Sequence, residues 1–226
     1  MAAQWRPLAN AKSSGNANRL VCENIKMKNY PSIPWLIRVA RFGDAPIYIH
    51  LFSLVCLPMF WGAASFPIAV WGTVLIILLV LIHEIGHALV CRLVGAEVNF
   101  LLVGMLFGYC DYTHWGEQPD ERDFVLIAWG GVFAQLVLLI VALLGFALLA
   151  DSSIFMPNYF RPDGSSFAHM TWLVLVAFNA AIIISNLIPI HPLDGYKAWE
   201  MSPWRAVRAM WYGWKVQQDR KQAGKN

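Results

Sequence analysis

The stretch "LLVLIHEIGHALVCRL" (residues 78–93) sets His83, Glu84 and His87 inside a run that otherwise reads as lipid-soluble. A polar or charged side chain within a membrane span costs about 2.5 kcal/mol or more on insertion scales, and such residues are as a rule functional. In a helix, positions i and i+4 point in directions about 40° apart, so His83 and His87 project from one face as neighbours. Two imidazoles at that spacing can bind one zinc ion, with Glu84 reaching a water on it. The ion then lowers the water's pKa and polarises a scissile carbonyl, while the glutamate moves a proton from that water to the leaving amine.

The rest of the chain explains why such a run exists. Of 226 residues, 58% are hydrophobic and 14% charged, against about 45–50% and about 25% in an ordinary globular domain. With eleven Trp and thirteen Phe, this composition excludes an ordinary soluble protein. The length fits a few membrane spans without a large attached domain. Cys22, Cys56, Cys91 and Cys110 show no CxxC spacing and are expected as buried small hydrophobes, not as disulfides or a metal cluster. The first 45 residues are polar and basic, with no early apolar core or small-residue cleavage site, so the spans themselves are expected to direct insertion.

A span needs about 20 apolar residues. The expected fold is an all-α polytopic membrane protein with four spans, at about 46–61, 67–91, 124–150 and 168–188. The first two make a helical hairpin broken at "WGAASFP" (61–67). A loosely ordered tail (1–45), an intramembrane core (46–195) and a basic, aromatic tail (196–226) complete the organisation. Segment 95–113, "GAEVNFLLVGMLFGYCDYT", is apolar, β-prone and interrupted by Gly104 and Gly108. It is expected to form a short re-entrant β-hairpin, which needs protein or a water-filled cavity beside it. On these spans, sixteen of the seventeen Lys and Arg fall on one side and Arg161 alone on the other, so both termini are expected in the cytoplasm. In the second tail, Trp204, Val207, Trp211 and Trp214 share a helical arc edged by Arg205, Arg208 and Lys215. That pattern fits an interfacial helix on anionic lipid, with a solvated tail as the alternative.

Catalytic zinc takes three protein ligands and a water, so His83 and His87 need a partner at the same membrane face. The fourth span ends there, in "SNLIPIHPLDGYKAW" (185–199), and Asp194 is the only acid near that end before Glu200. Pro189 and Pro192 break the helix and let the chain bend back. Asp194 is therefore the expected third ligand.

"HEIGH" (83–87) in one span and "NLIPIHPLDG" (186–195) after a later one resemble the site-2 protease family of intramembrane zinc metalloproteases, in a compact form without PDZ or CBS-type domains. That family pairs HExxH with Asn-x-x-Pro-x-x-x-Leu-Asp-Gly. The resemblance implies His83, His87 and Asp194 as ligands of one Zn2+ and Glu84 as the catalytic group. Segment 95–111 is similar to the family's re-entrant strand segment, and "APIYIHLFS" (45–53) to the start of the first span in compact members, with His50 at its histidine. "ERDFVLIAWGGVFAQLVLL" (121–139) resembles the Gly-Pro-x-x-Asn helix, but reads Gly131, Val132, Phe133, Ala134, Gln135: the proline is lost and Gln replaces Asn. Gln135 keeps the amide that positions substrate, on a longer arm. His191 stands where many members have proline, as a substrate-facing group or an interfacial residue. Asn186 offers its amide to a substrate strand or oxyanion, or caps helix carbonyls freed by the prolines. His50 is expected to be structural.

The function expected from these residues is an intramembrane endopeptidase that cuts a transmembrane segment of another membrane protein, a single-span one for preference, near the cytoplasmic face. The lipid bilayer, and a regulatory membrane protein or a second copy, complete the expected partners; no nucleic acid is expected. So compact a chain suggests a bacterial plasma membrane by analogy. Two alternatives stand beside it. A membrane zinc protease of the prenyl-protein-processing or heat-shock type would take Glu97, Glu117 or Glu121 as third ligand. A non-catalytic metal-binding scaffold or transporter would have no need of Glu84, and a transporter would more often show repeated spans.

Overall fold

The computed structural model describes residues 35–62, 64–105, 107–114, 121–149, 167–191 and 193–223. Among the described residues, three helices are long and apolar enough to cross a membrane: α2 (Phe66–Leu93), α3 (Glu121–Leu149) and α4 (Phe167–Asn186). They match the second, third and fourth expected spans. α2 begins with proline in its first turn, where the missing N–H has no partner to lose. It ends at Val94, and Gly95 at φ 85° turns the chain back, in the left-handed conformation that glycine supplies after a helix C-terminus. α4 is continuous but carries a π-helical stretch at Leu173–Phe178, and it stops at Asn186, just ahead of Pro189. Pro192 lies outside the described residues.

The protein is not all-α. Strands β1 (Leu36–Phe42), β2 (Ala45–His50), β3 (Ala96–Val103) and β4 (Gly108–His114) form one sheet in the order β1-β2-β3-β4. β3 and β4 make an antiparallel hairpin over most of the segment expected to do so. β1 and β2 were not expected. β1 lies in what reads as a polar tail, and it pairs with β2 across a two-residue turn, Gly43–Asp44. Gly43, at φ 62°, adopts a conformation that side chains resist, and Arg92 donates to the Phe42 carbonyl beside it at 2.9 Å.

The first expected span, 46–61, is likewise not a helix. It runs as β2, a 3-10 turn (Leu51–Val55) and a short helix α1 (Cys56–Trp61). Sixteen residues cannot cross as an α-helix, and Pro46 with the β-prone Ile47, Tyr48 and Ile49 favours a strand. Extended geometry lengthens the reach: laid end to end, strand, 3-10 turn and helix could span at most about 39 Å, against about 42 Å for the 28-residue α2. Parallel pairing of β2 with β3, through Ile47↔Leu101 and Ile49↔Val103, requires the chain to travel away from the sheet and return before β3 begins. The 46–61 leg goes out and α2 comes back. The hairpin-like route is kept while its first arm changes structure.

Two apolar clusters flank the histidine turn of α2. One includes Cys56, Phe60, Ile76, Leu79, Met170 and Val174 from α1, α2 and α4. The other includes Ala88, Cys91, Val98, Leu101, Val125, Trp129 and Val132 from α2, the sheet and α3. Cys56 and Cys91 are fully buried and Cys110 half-buried, all three as free thiols; Cys22 lies outside the described residues. Beyond α4, a short helix α5 (Gly195–Ala198) leads to α6 (Pro203–Ala223).

Candidate metal centre

His83 and His87 stand one turn apart on α2, both buried, with their Nε2 atoms 2.9 Å from each other. Asp194, at the head of α5, brings Oδ2 to 3.0 Å from His83 Nε2 and 3.4 Å from His87 Nε2. Among the described residues these three are the His, Cys, Asp and Glu side chains grouped so that one ion could be held. Glu97 and Glu121 stand outside the group, and Glu117 lies outside the described residues.

The donor set fits a metal on this geometry. His87 Nδ1 lies 2.6 Å from the Ile127 carbonyl. A carbonyl carries no proton, so Nδ1–H must donate, which leaves the Nε2 lone pair facing the cluster. Backbone carbonyls commonly orient metal-binding histidines in this way. Tetrahedral zinc ligands about 2.1 Å from the ion stand about 3.4 Å apart, the spacing of His87 and Asp194, while the other two pairs, at 2.9 and 3.0 Å, would have to open slightly around an ion. Space is present as well: a Cβ on Gly131 of α3 would come within 2.5 Å of both His83 Cε1 and His87 Nε2. Burial alone would raise the Asp194 carboxyl's pKa. Where the His87 and His83 imidazoles are protonated and no ion takes the proton's place, their charge and hydrogen bonds outweigh burial and hold the carboxyl well below the usual carboxylate range.

A close helix crossing makes this possible. A Cβ on Gly86 would collide with the Gly130 carbonyl, and one on Gly130 would lie 2.6 Å from the Gly86 carbonyl. Small residues let α2 and α3 approach at backbone distance, which sets the Ile127 carbonyl and Gly131 against the histidines. Asp194 is held differently. Trp199 Nε1 donates to the Leu187 carbonyl at 2.6 Å, and Trp129 Nε1 of α3 to the Ala198 carbonyl at 2.7 Å. Two indoles thus clip the turn that carries the carboxylate.

A cavity of about 780 Å³ opens on the cluster. Glu84, nearly fully buried, lines it together with Asn186, Gln135 and His191, and the hairpin contributes Phe107, Gly108 and Tyr109. The expected hollow beside the hairpin is therefore present. Gly108, the first residue of β4, packs directly on the Glu84 carboxyl, where no side chain would fit. Gln135 is fully buried with neither amide atom partnered, while its backbone carbonyl accepts from Asn179 Nδ2 at 3.1 Å. His191 is exposed, edge-on to Tyr196 at 5.8 Å. His50 stands away from the cavity and accepts the Phe52 N–H at 3.1 Å, capping the 3-10 turn.

No family model and no curated protein matches the sequence. Among solved structures, the chain is similar to a site-2 protease from Methanocaldococcus jannaschii, with a TM-score of 0.51 and 21% identity over 73% of this chain and 69% of that one. The two proteins share a fold. The likeness agrees with the resemblance carried by the two motifs. The parts that sequence reasoning missed are the Ile127 carbonyl, the glycine crossing and the two indoles. The first two left a trace in the pair Gly130–Gly131 facing a span that contains Gly86; the indoles left none.

Proposed function

We propose that the chain is an intramembrane zinc metalloendopeptidase of the site-2 protease type, hydrolysing a peptide bond in or near a transmembrane segment of another membrane protein. The observation that carries this reading is the convergence of His83, His87 and Asp194 beside a buried Glu84, within one cavity, on a chain that shares a site-2 protease's fold. His83, His87 and Asp194 would hold the ion. When bound, zinc supplies Lewis acidity toward a carbonyl and acidifies a water. The Glu84 carboxylate would take a proton from the attacking water and pass it to the leaving amine.

Among the described residues β4 is an edge strand of the sheet, and its first residue touches Glu84. A substrate helix hides its peptide bonds in its own hydrogen bonds, so it must unwind first. Strand addition along β4 would hold the unwound segment beside the glutamate. Gln135, Asn186 and His191 line the same cavity and would position the chain. In the bilayer, the β3–β4 hairpin dips from the cytoplasmic side, both termini are cytoplasmic, and the setting is a bacterial plasma membrane.

The test uses purified protein and a co-expressed single-span substrate. Glu84→Gln should keep its zinc and lose activity by about 10²- to 10⁴-fold, the usual contribution of a general base. Asp194→Ala should lose both. Cleavage by Glu84→Gln at the native rate would sink the reading.

A further inference from the structure

We propose that α6 is a binding surface for anionic lipid headgroups, lying at headgroup depth across the site-side ends of α2 and α3. Among the described residues, α6 has a buried face and an unpartnered one. On the buried face Ala206 is fully enclosed, and Gln217 Nε2 donates to the carbonyls of Arg92 at 2.7 Å and Leu93 at 3.3 Å. Those are the last carbonyls of α2, which have no partner within their own helix. The helix also packs on α3. It is therefore docked on the ends of two membrane-capable helices and not trailing from them.

That docking fixes its depth. α2, at 28 residues, is about 42 Å long, while the hydrocarbon core of a bilayer is about 30 Å thick. The helix exceeds that core by about 12 Å, and the charged Arg92 in its final turn marks this end as one that reaches the headgroups. A helix laid on that end occupies the headgroup layer.

The free face has the chemistry of that layer. Trp204, Val207, Trp211 and Trp214 lie along one flank, with the three indoles 72%, 52% and 51% exposed. Beside them run Arg205, Arg208 and Lys215, all exposed, with Lys215 Nζ 5.5 Å from the Trp211 ring centre. Asp219 is the only acid on α6. Exposed indoles in a row are unfavourable in bulk water, and cations beside them are unfavourable in hydrocarbon. Both are satisfied where acyl chains meet headgroups. The excess of cations selects anionic over zwitterionic lipid. This contact does not depend on any chemistry at the metal centre.

The full-length chain, one copy per lipid nanodisc, decides this by amide hydrogen exchange. Discs of phosphatidylcholine alone are compared with discs of equal parts phosphatidylglycerol and phosphatidylcholine. Exchange over residues 203–223 should slow by about tenfold in the anionic discs, with exchange over α2 and α3 unchanged. In the variant Arg205→Glu/Arg208→Glu/Lys215→Glu the two lipid mixtures should give equal rates. Equal rates for the wild-type chain in both mixtures would overturn the proposal. So would a slowing that survives in the charge variant, or one that appears only with two copies per disc, which would assign the face to a second chain. If the charge variant disturbs α2 or α3, the wild-type comparison still decides the matter.

Discussion

The two halves of the candidate metal centre are built on opposite principles. The histidine half is local: both imidazoles belong to one helix, one turn apart, and a Gly–Gly crossing presses α3 against them. The aspartate half is tertiary: Asp194 sits in a turn after α4, and its position depends on indole hydrogen bonds from Trp129 and Trp199. A helix gives its side chains a direction from the backbone alone, whereas a turn must be tied to something else. The histidine half should therefore fail only when it is struck directly. The aspartate half should loosen by degrees.

Filling the space beside the imidazoles strikes the first half hardest. Gly131→Val would drive its side chain into His83 and His87, and overpacking of this kind costs about 1–3 kcal/mol. Here the displaced atoms are the candidate ligand nitrogens, so bound zinc should fall to near zero by metal analysis. Gly145→Val on the same helix meets nothing within 4 Å and should bind zinc normally. Full zinc content in Gly131→Val would mean that the histidine half has slack this geometry does not suggest.

The aspartate half should respond more gently. Trp129→Phe keeps the ring but removes the N–H that ties α3 to the Ala198 and Met201 carbonyls. The Ala198 carbonyl keeps the Met201 N–H at 3.2 Å, so the direct loss is one buried hydrogen bond, about 0.5–1.5 kcal/mol, while loss of an outer support commonly weakens metal affinity by about 10- to 100-fold. Trp199→Phe should do less, because Trp199 is half exposed and water can take over its bond to the Leu187 carbonyl. Competition with a zinc chelator would rank the two variants. If Trp129→Phe binds zinc as tightly as the native chain, the turn holds Asp194 unaided and the contrast between the halves disappears.

The same contrast explains what could be read from the sequence. His83, Glu84 and His87 were legible because helical periodicity places them without knowledge of the fold. Asp194 was legible because acids are scarce at the end of the last span. The N-terminal leg was not. Hydropathy scores "APIYIHLFS" as it would score a helix, and a short apolar run does not reveal its period. What made it a strand is pairing with β3, which begins 46 residues after β2 ends. The clue within reach was Gly43–Asp44, a turn dipeptide between "LIRVARF" and "APIYIH", hidden because Arg38 and Arg41 make β1 read as a solvated tail. Trp129 and Trp199 were hidden for a different reason: among eleven tryptophans, nothing in the sequence marks which indoles meet a carbonyl.

His50 gives the smallest and most discriminating effect. By sequence resemblance it falls at a histidine of compact site-2 proteases, yet it caps the 3-10 turn through the Phe52 N–H and stands apart from the candidate ligands. His50→Ala should cost about 1 kcal/mol, the usual value of a lost cap, and so lower the Tm by a few degrees. His50→Asn, whose short side chain can accept the same N–H, should recover most of that loss. Zinc content should be unchanged in both, since the cap belongs to the leg that the tertiary fold builds and not to the cluster. If His50→Asn instead behaves like His50→Ala and both lose zinc, the imidazole reaches the ion, and the division between a local half and a tertiary half no longer holds.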